Sequence, residues 1–161
     1  MSQDRINILI VDDEEIFLNS MKTRLETRDF KVVAVDRGEK AIEEAKKQSF
    51  DVALVDLKMP GINGEETLKE LKKVDKWLEV VILTGHGSIE SAVECTKQGA
   101  YEYLQKPCKL EELLESLKNA YQKRIMGKKD IDAEEMRKLL SFSLVESPLG
   151  VLRRLKKIDK G

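Results

Sequence analysis

The 161-residue chain is poor in the residues that build reactive centres: two cysteines, one histidine and 5% aromatic side chains. Cys95 and Cys108 show no CxxC spacing, which excludes a disulfide scaffold and a cysteine-ligated zinc site. The single His86 excludes a histidine-rich metal centre. No apolar run approaches the roughly 20 residues that span a bilayer. The opening MSQDRINILIVDDEE has an apolar core of only six residues before four acids, and is not expected to act as a signal peptide. Net charge is also missing. The 29 basic and 30 acidic residues cancel to −1, which excludes a strongly acidic or basic disordered chain and a nucleic-acid-coating protein. What remains is a cytoplasmic chain with an ordinary apolar share, 41%, and an unusual charged share, 37%.

Short β-branched runs alternate with longer helical patterns. The expected strands are Ile6–Val11, Lys31–Val35, Val52–Asp56, Val80–Thr84 and Tyr101–Gln105. The first, third and fourth are continuously apolar, as parallel strands covered on both faces must be. Between them, apolar residues recur three or four apart: Phe17, Met21 and Leu25; Ala41, Ile42 and Ala45; Leu68 and Leu71; Ile89, Ala92 and Val93. A fifth stripe follows at Leu110, Leu113, Leu114, Leu117 and Tyr121. Five such units predict an α/β doubly wound parallel sheet of five strands, with helices on both faces.

Residues 124–161 carry ten basic and six acidic side chains, leaving the first 123 residues at a net −5. We expect a domain over 1–123 and a linker with short helices over 124–161. Gly127 before Lys128-Lys129-Asp130 reads as the linker. Asp132 with Glu135 reads as a capping box opening a helix through about Val145, and Ser147-Pro148 as the start of another. Leu149, Leu152, Leu155 and Ile158 make this last segment amphipathic. Its apolar side would dock on the domain or a second copy, or serve a partner or a membrane surface.

In open α/β sheets, ligands bind beyond the carboxyl ends of the strands. Here those ends carry Asp12-Asp13, Asp56 and Thr84, with Lys106 after the last strand. The strand order 2-1-3-4-5 would bring all five residues to one pocket. Three close carboxylates repel and call for a cation; oxygen ligands on a shallow, hydrated site suit Mg²⁺. A carboxylate can also act as a nucleophile toward phosphorus, with Lys106 and Thr84 offsetting charge on the transferred group. No histidine, serine or cysteine nucleophile–base set competes.

Four motifs carry this chemistry in order: IVDDEE, VDLKMPGINGEE, ILTGHGS and YLQKP. Together they resemble the receiver domains of two-component response regulators over about residues 5–123, most closely those of nitrogen-regulatory-type activators. The resemblance implies Asp56 as phosphoacceptor and Mg²⁺ held by Asp12, Asp13, Asp56 and the Lys58 backbone carbonyl. It implies Lys106 pairing with phosphoryl oxygens through a cis bond to Pro107, and Thr84 and Tyr103 as the switch pair. The implied partners are a sensor histidine kinase or phosphotransfer protein, with a possible homodimer through the fourth and fifth helices and no membrane span. Such a chain is an enzyme only in catalysing its own phosphorylation and dephosphorylation.

Plainer roles stand beside these. Asp12 and Asp13 could open a helix, Thr84 could merely end a strand, and Tyr103 could be ordinary sheet packing. Gly64 and Gly99 read as turn or helix-end glycines, His86 and Lys58 as rim residues, and Trp77 as a cover over the base of the third helix. No GxxxxGK[ST] segment follows the domain, so an ATPase module is not expected. The rival functions are a DNA-binding transcriptional regulator using the basic tail, a metal-dependent phosphohydrolase and a phosphorylation-independent scaffold.

Overall fold

The computed structural model describes residues 5–140 and 146–161. The strands are β1 (Ile6–Val11), β2 (Phe30–Val35), β3 (Val52–Val55), β4 (Glu79–Thr84) and β5 (Glu102–Gln105). The helices are α1 (Glu15–Glu26), α2 (Gly38–Lys47), α3 (Gly64–Val74), α4 (Ile89–Lys97), α5 (Leu110–Lys129), α6 (Ala133–Leu139) and α7 (Pro148–Lys160). All strand pairs are parallel, in the order β2-β1-β3-β4-β5. The doubly wound sheet expected from the alternating pattern is therefore present.

β3 and β4 are buried at every position, and β1 at all but Asn7, because helices cover both faces. On one face α1 and α5 pack Leu18, Met21, Leu25, Leu113 and Leu117 over Ile8, Ile10, Val52 and Leu54. On the other, Ala41, Leu68, Leu71 and Cys95 cover Leu9, Val11, Ala53 and Val55. Cys95 is thus a core filler, and burial raises its thiol pKa to about 11.

The expected linker at Gly127 is a correction. α5 runs unbroken through Gly127 to Lys129 and ends at Asp130, whose φ of 52° reverses the chain. A Cβ on Gly127 would lie 2.5 Å from the Trp77 ring. Glycine is there because an indole lies against that turn of the helix, so Trp77, in the loop after α3, packs on the end of α5.

After the reversal, the chain folds back on its own domain. The Asp132 side chain caps α6, accepting from the Glu135 amide at 2.8 Å. The expected continuation of this helix to Val145 falls partly outside the described residues. Ser147 caps α7, accepting from Gly150 at 3.1 Å, with Pro148 in the first turn. Leu152, Leu155 and Met136 are fully buried in the core shared with α1 and α5. Each buried leucine stabilises the docking by about 1.5–3 kcal/mol.

Polar contacts fix the register. Lys156 Nζ meets Asp51 Oδ2 at 2.8 Å, and the same oxygen accepts the Asn7 amide at 2.8 Å. Tyr121 donates to Asp159 at 2.8 Å, and Lys128 reaches Asp159 at 3.2 Å. Arg124, also buried, joins Asp75 at 2.9 Å and Ser49 at 3.2 Å. Asp51 precedes β3 and Asn7 lies near the start of β1. The tail therefore closes the end of the sheet opposite to the strand termini that carry Asp12 and Asp56. Among the described residues, no helix is long and apolar enough to cross a membrane.

Candidate functional site

Strand pairing assembles the site. Val11 lies opposite Val55, and the ladder continues one step further with the Asp56 amide donating to Val11 at 2.9 Å. The Asp12 amide donates to Val35 at 3.1 Å. Asp12 and Asp56 thus leave adjacent strands side by side, and Asp13 follows at the rim. One carboxylate oxygen from each lies within 4.8 Å of the other two. Asp12 and Asp56 are each only 2% exposed, whereas Asp13 is exposed.

Asp56 Oδ1 accepts its neighbour's amide, from Leu57, at 2.9 Å, but among the described residues the buried Oδ2 has no partner. A buried carboxylate oxygen without a donor is costly, and a hard cation between three carboxylates would satisfy it. The donor set is all oxygen, partly open to water, and fits Mg²⁺. Burial, then repulsion from Asp56, keeps the Asp12 carboxyl above its ordinary range despite its bond to Lys106.

The α3 cap holds the Asp56 loop. Asn63 and Glu66 form a reciprocal capping box, and the Gly64 amide donates to Leu57 at 2.7 Å. A Cβ on Gly64 would lie 2.3 Å from the Asp56 carbonyl oxygen and 2.7 Å from Leu57 Cα. Gly64 is therefore a close-approach residue that sets where Asp56 sits. Gly64→Ala is expected to destabilise the fold by about 1–3 kcal/mol and to weaken Mg²⁺ binding. Urea unfolding and a Mg²⁺ titration check this; wild-type values in both would remove the contact from the site.

Lys106 arrives from the end of β5, its amide donating to Thr84 at 2.9 Å and its bond to Pro107 in the cis form. Its ammonium lies 2.6 Å from Asp12 Oδ2, 2.8 Å from Glu14 Oε1 and 4.0 Å from the centre of the Phe17 ring. Burial alone would lower the Lys106 pKa, but the bonds to Asp12 and Glu14 outweigh it and raise it. The same bond holds the exposed Glu14 carboxyl below its ordinary range. Glu14 and Phe17 were not among the expected site residues. The only sequence signals for them are the third acid of the DDEE run and an aromatic three residues later.

Thr84 is buried, and its hydroxyl accepts the His86 amide at 3.1 Å. Tyr103 is half-buried; its hydroxyl lies 2.9 Å from Ser91 Oγ and accepts the Ser88 amide at 3.2 Å. Ser88 also caps α4, so the ring is tied to the start of that helix. A Cβ on Gly87 would meet the Tyr103 hydroxyl, so the glycine makes room for the ring. Lys58 is exposed in the loop after Asp56. Asp12, Asp13, Asp56 and Lys106 gather in one cleft, with Thr84 beside Gln105 at the adjoining strand ends and Tyr103 further back on β5, opposite Ile82.

The model of the response regulator receiver domain matches residues 8–118. The chain belongs to this family. The transcriptional regulatory protein ZraR of Escherichia coli (strain K12) is 36% identical over 120 residues, covering 74% of this chain and 27% of ZraR. The receiver thus corresponds to about a quarter of the length of such relatives. Among solved structures, the beryllofluoride-activated NtrC4 receiver domain dimer superposes with a TM-score of 0.69 at 31% identity, covering 77% of this chain and 99% of that one. A Burkholderia pseudomallei response regulator with a phosphorylated aspartic acid and a calcium ion gives a TM-score of 0.67 at 25% identity, covering 84% and 92%. The receiver is a signalling module of a two-component response regulator. Residues beyond 118 lie outside the family match.

Proposed function

We propose that Asp56 accepts a phosphoryl group from a histidine kinase or phosphotransfer protein, and that the gain is read through protein contacts. The observation that carries this reading is the partnerless Asp56 Oδ2, buried within a cluster of three carboxylates. An Asp56 oxygen attacks phosphorus; the O–P bond forms as the bond to the donor breaks, and the electron pair leaves with the donor. Attack by water later returns the carboxylate and inorganic phosphate. Asp12, Asp13 and Asp56, with the Lys58 carbonyl, would hold Mg²⁺, which supplies charge neutralisation for the transferring oxygens. Lys106 pairs with the phosphoryl oxygens, and Thr84 donates to one of them. Tyr103, moving with Ser88 and Ser91, carries the change to α4. The phosphorylated Burkholderia relative supports the acceptor role, and the setting is cytoplasmic.

Two features bear on output. α4 exposes Ile89 and Val93, at 85% and 49%, which favours a second copy or a partner on the α4–β5 side. The NtrC4 receiver dimer supports the copy. Pairing along the extended end of α5 is less favoured, because Tyr121 and Ile125 are already covered within the chain. The DNA-binding alternative rests on the basic tail, whose apolar side and Lys156 are likewise engaged by the domain.

The test uses the full chain, a small acyl phosphate and Mg²⁺, read by intact-protein mass. One labile phosphoryl group per chain is expected, and none when a chelator removes the metal. No incorporation under either condition would overturn the reading.

A further inference from the structure

Lys106 is held away from the group it is meant to meet. Among the described residues its ammonium makes two hydrogen bonds and one ring contact: the buried Asp12 carboxylate at 2.6 Å, the exposed Glu14 carboxylate at 2.8 Å and the Phe17 ring at 4.0 Å. Among the described residues no hydrogen bond or ion pair joins Lys106 to Asp56, whose Oδ2 stays without a partner. Two acceptors and an aromatic face surround the ammonium, so it cannot turn to a group on Asp56 while keeping all three. Asp12 belongs to the acidic cluster itself. Glu14 does not: its side chain is 55% exposed, and it reaches back over the cleft from the start of α1.

We propose that Glu14 is a resting-state latch on Lys106, a positioning residue that sets how readily the lysine reaches a phosphoryl group on Asp56. This rests on the phosphoacceptor reading above and adds a regulator to that site. The latch works by competition. A phosphoryl group presents several charged acceptor oxygens, which draw the ammonium more strongly than one solvated carboxylate. The Glu14 carboxylate then returns to water, where it is fully hydrated. Because the Glu14 side of the pair is exposed and screened by solvent, the latch is weak, and its release changes rates by about two- to fivefold.

The experiment follows phosphoryl incorporation from a small acyl phosphate at saturating Mg²⁺, on the full chain, by intact mass. Wild type is compared with Glu14→Gln and Glu14→Asp. Glutamine removes the charge; aspartate keeps it but draws it back by one methylene, out of reach of Lys106. Both variants are expected to react about two- to fivefold faster than wild type. Beryllofluoride, a phosphoryl mimic, is expected to bind both more tightly by a similar factor. A Glu14→Gln variant as slow as wild type, or slower, in both measurements overturns the latch. A fast glutamine variant beside an aspartate variant at the wild-type rate also overturns it, since the effect would then be repulsion of the donor by charge. In these failures wild type still takes up phosphate on Asp56. If wild type takes up none, the phosphoacceptor reading has failed, and the latch fails with it.

Discussion

Asp56→Asn is expected to abolish phosphoryl incorporation entirely while making the metal-free protein more stable. The amide keeps the shape of the carboxylate, and its oxygen can still accept the Leu57 amide that Asp56 Oδ1 accepts at 2.9 Å. It has no nucleophilic oxygen, so the O–P bond cannot form. The other half of the side chain changes sign. Where Asp56 presents a partnerless oxygen to Asp12 and Asp13, asparagine presents a donor. Removing one of three like charges within 4.8 Å relieves repulsion on the order of 1 kcal/mol. Mg²⁺ reverses the ranking, because a ligand at a hundred times its dissociation constant stabilises the state that binds it by about 2.7 kcal/mol. Urea unfolding of both proteins, with Mg²⁺ and with a chelator, separates the two effects. Residual labelling of the variant would move the acceptor elsewhere. A variant less stable than wild type without metal would mean that the three carboxylates are not in conflict.

Lys156→Met is expected to cost about 3 kcal/mol or more, the largest stability loss among the changes considered. The lysine and Asp51 side chains are 10% and 7% exposed, so the pair is screened little by water. Methionine preserves the apolar stem but leaves Asp51 with the Asn7 amide as its remaining partner, and breaking a buried pair from one side costs about 3–5 kcal/mol. Adding Asp51→Asn to the same chain removes the stranded charge and still offers the Asn7 amide an acceptor. The double variant should recover most of the loss. Urea unfolding of the four proteins in a double-mutant cycle gives the coupling directly. Unfolding should remain a single transition, because Leu152 and Leu155 share one core with α1 and α5. A loss below about 1 kcal/mol would mean that the pair is solvated and that α7 rests on the domain without being part of it.

The sheet and the acidic cluster were readable from the chain because both follow from local pattern. Runs such as INILIV and VVILT have no polar face, so they must lie in a sheet covered on both sides, and a parallel sheet delivers its strand-end residues to one edge. Asp12, Asp56 and Lys106 meet there for that reason. Contacts that depend on a partner far along the chain were not readable. Gly127 looks like a hinge until Trp77, fifty positions earlier, is found lying against it. Lys156 looks like one cation in a basic stretch, yet it pairs with Asp51 across 105 residues of sequence. Gly64 shows its role only when the Asp56 carbonyl is seen 2.3 Å from where its Cβ would stand. Glu14 is the intermediate case. The acid run is visible, but which of its members holds the lysine depends on the turn in which Asp12 accepts the Glu14 amide.

The reversal at Asp130 also determines what kind of machine part α5 can be. A helix that ran on from the domain would serve as a shaft, carrying rotation or tilt outward to whatever was mounted on it. Here the shaft is bent back and pinned, with Asp159 held by Tyr121 and Lys128 and with Arg154 gripping the carbonyls of Leu139 and Leu140. On the proposed reading, motion that begins at the acidic edge has no lever along α5 to travel down. It would be expressed as a change in contour on the flank of the body, where Ile89 and Val93 already face outward.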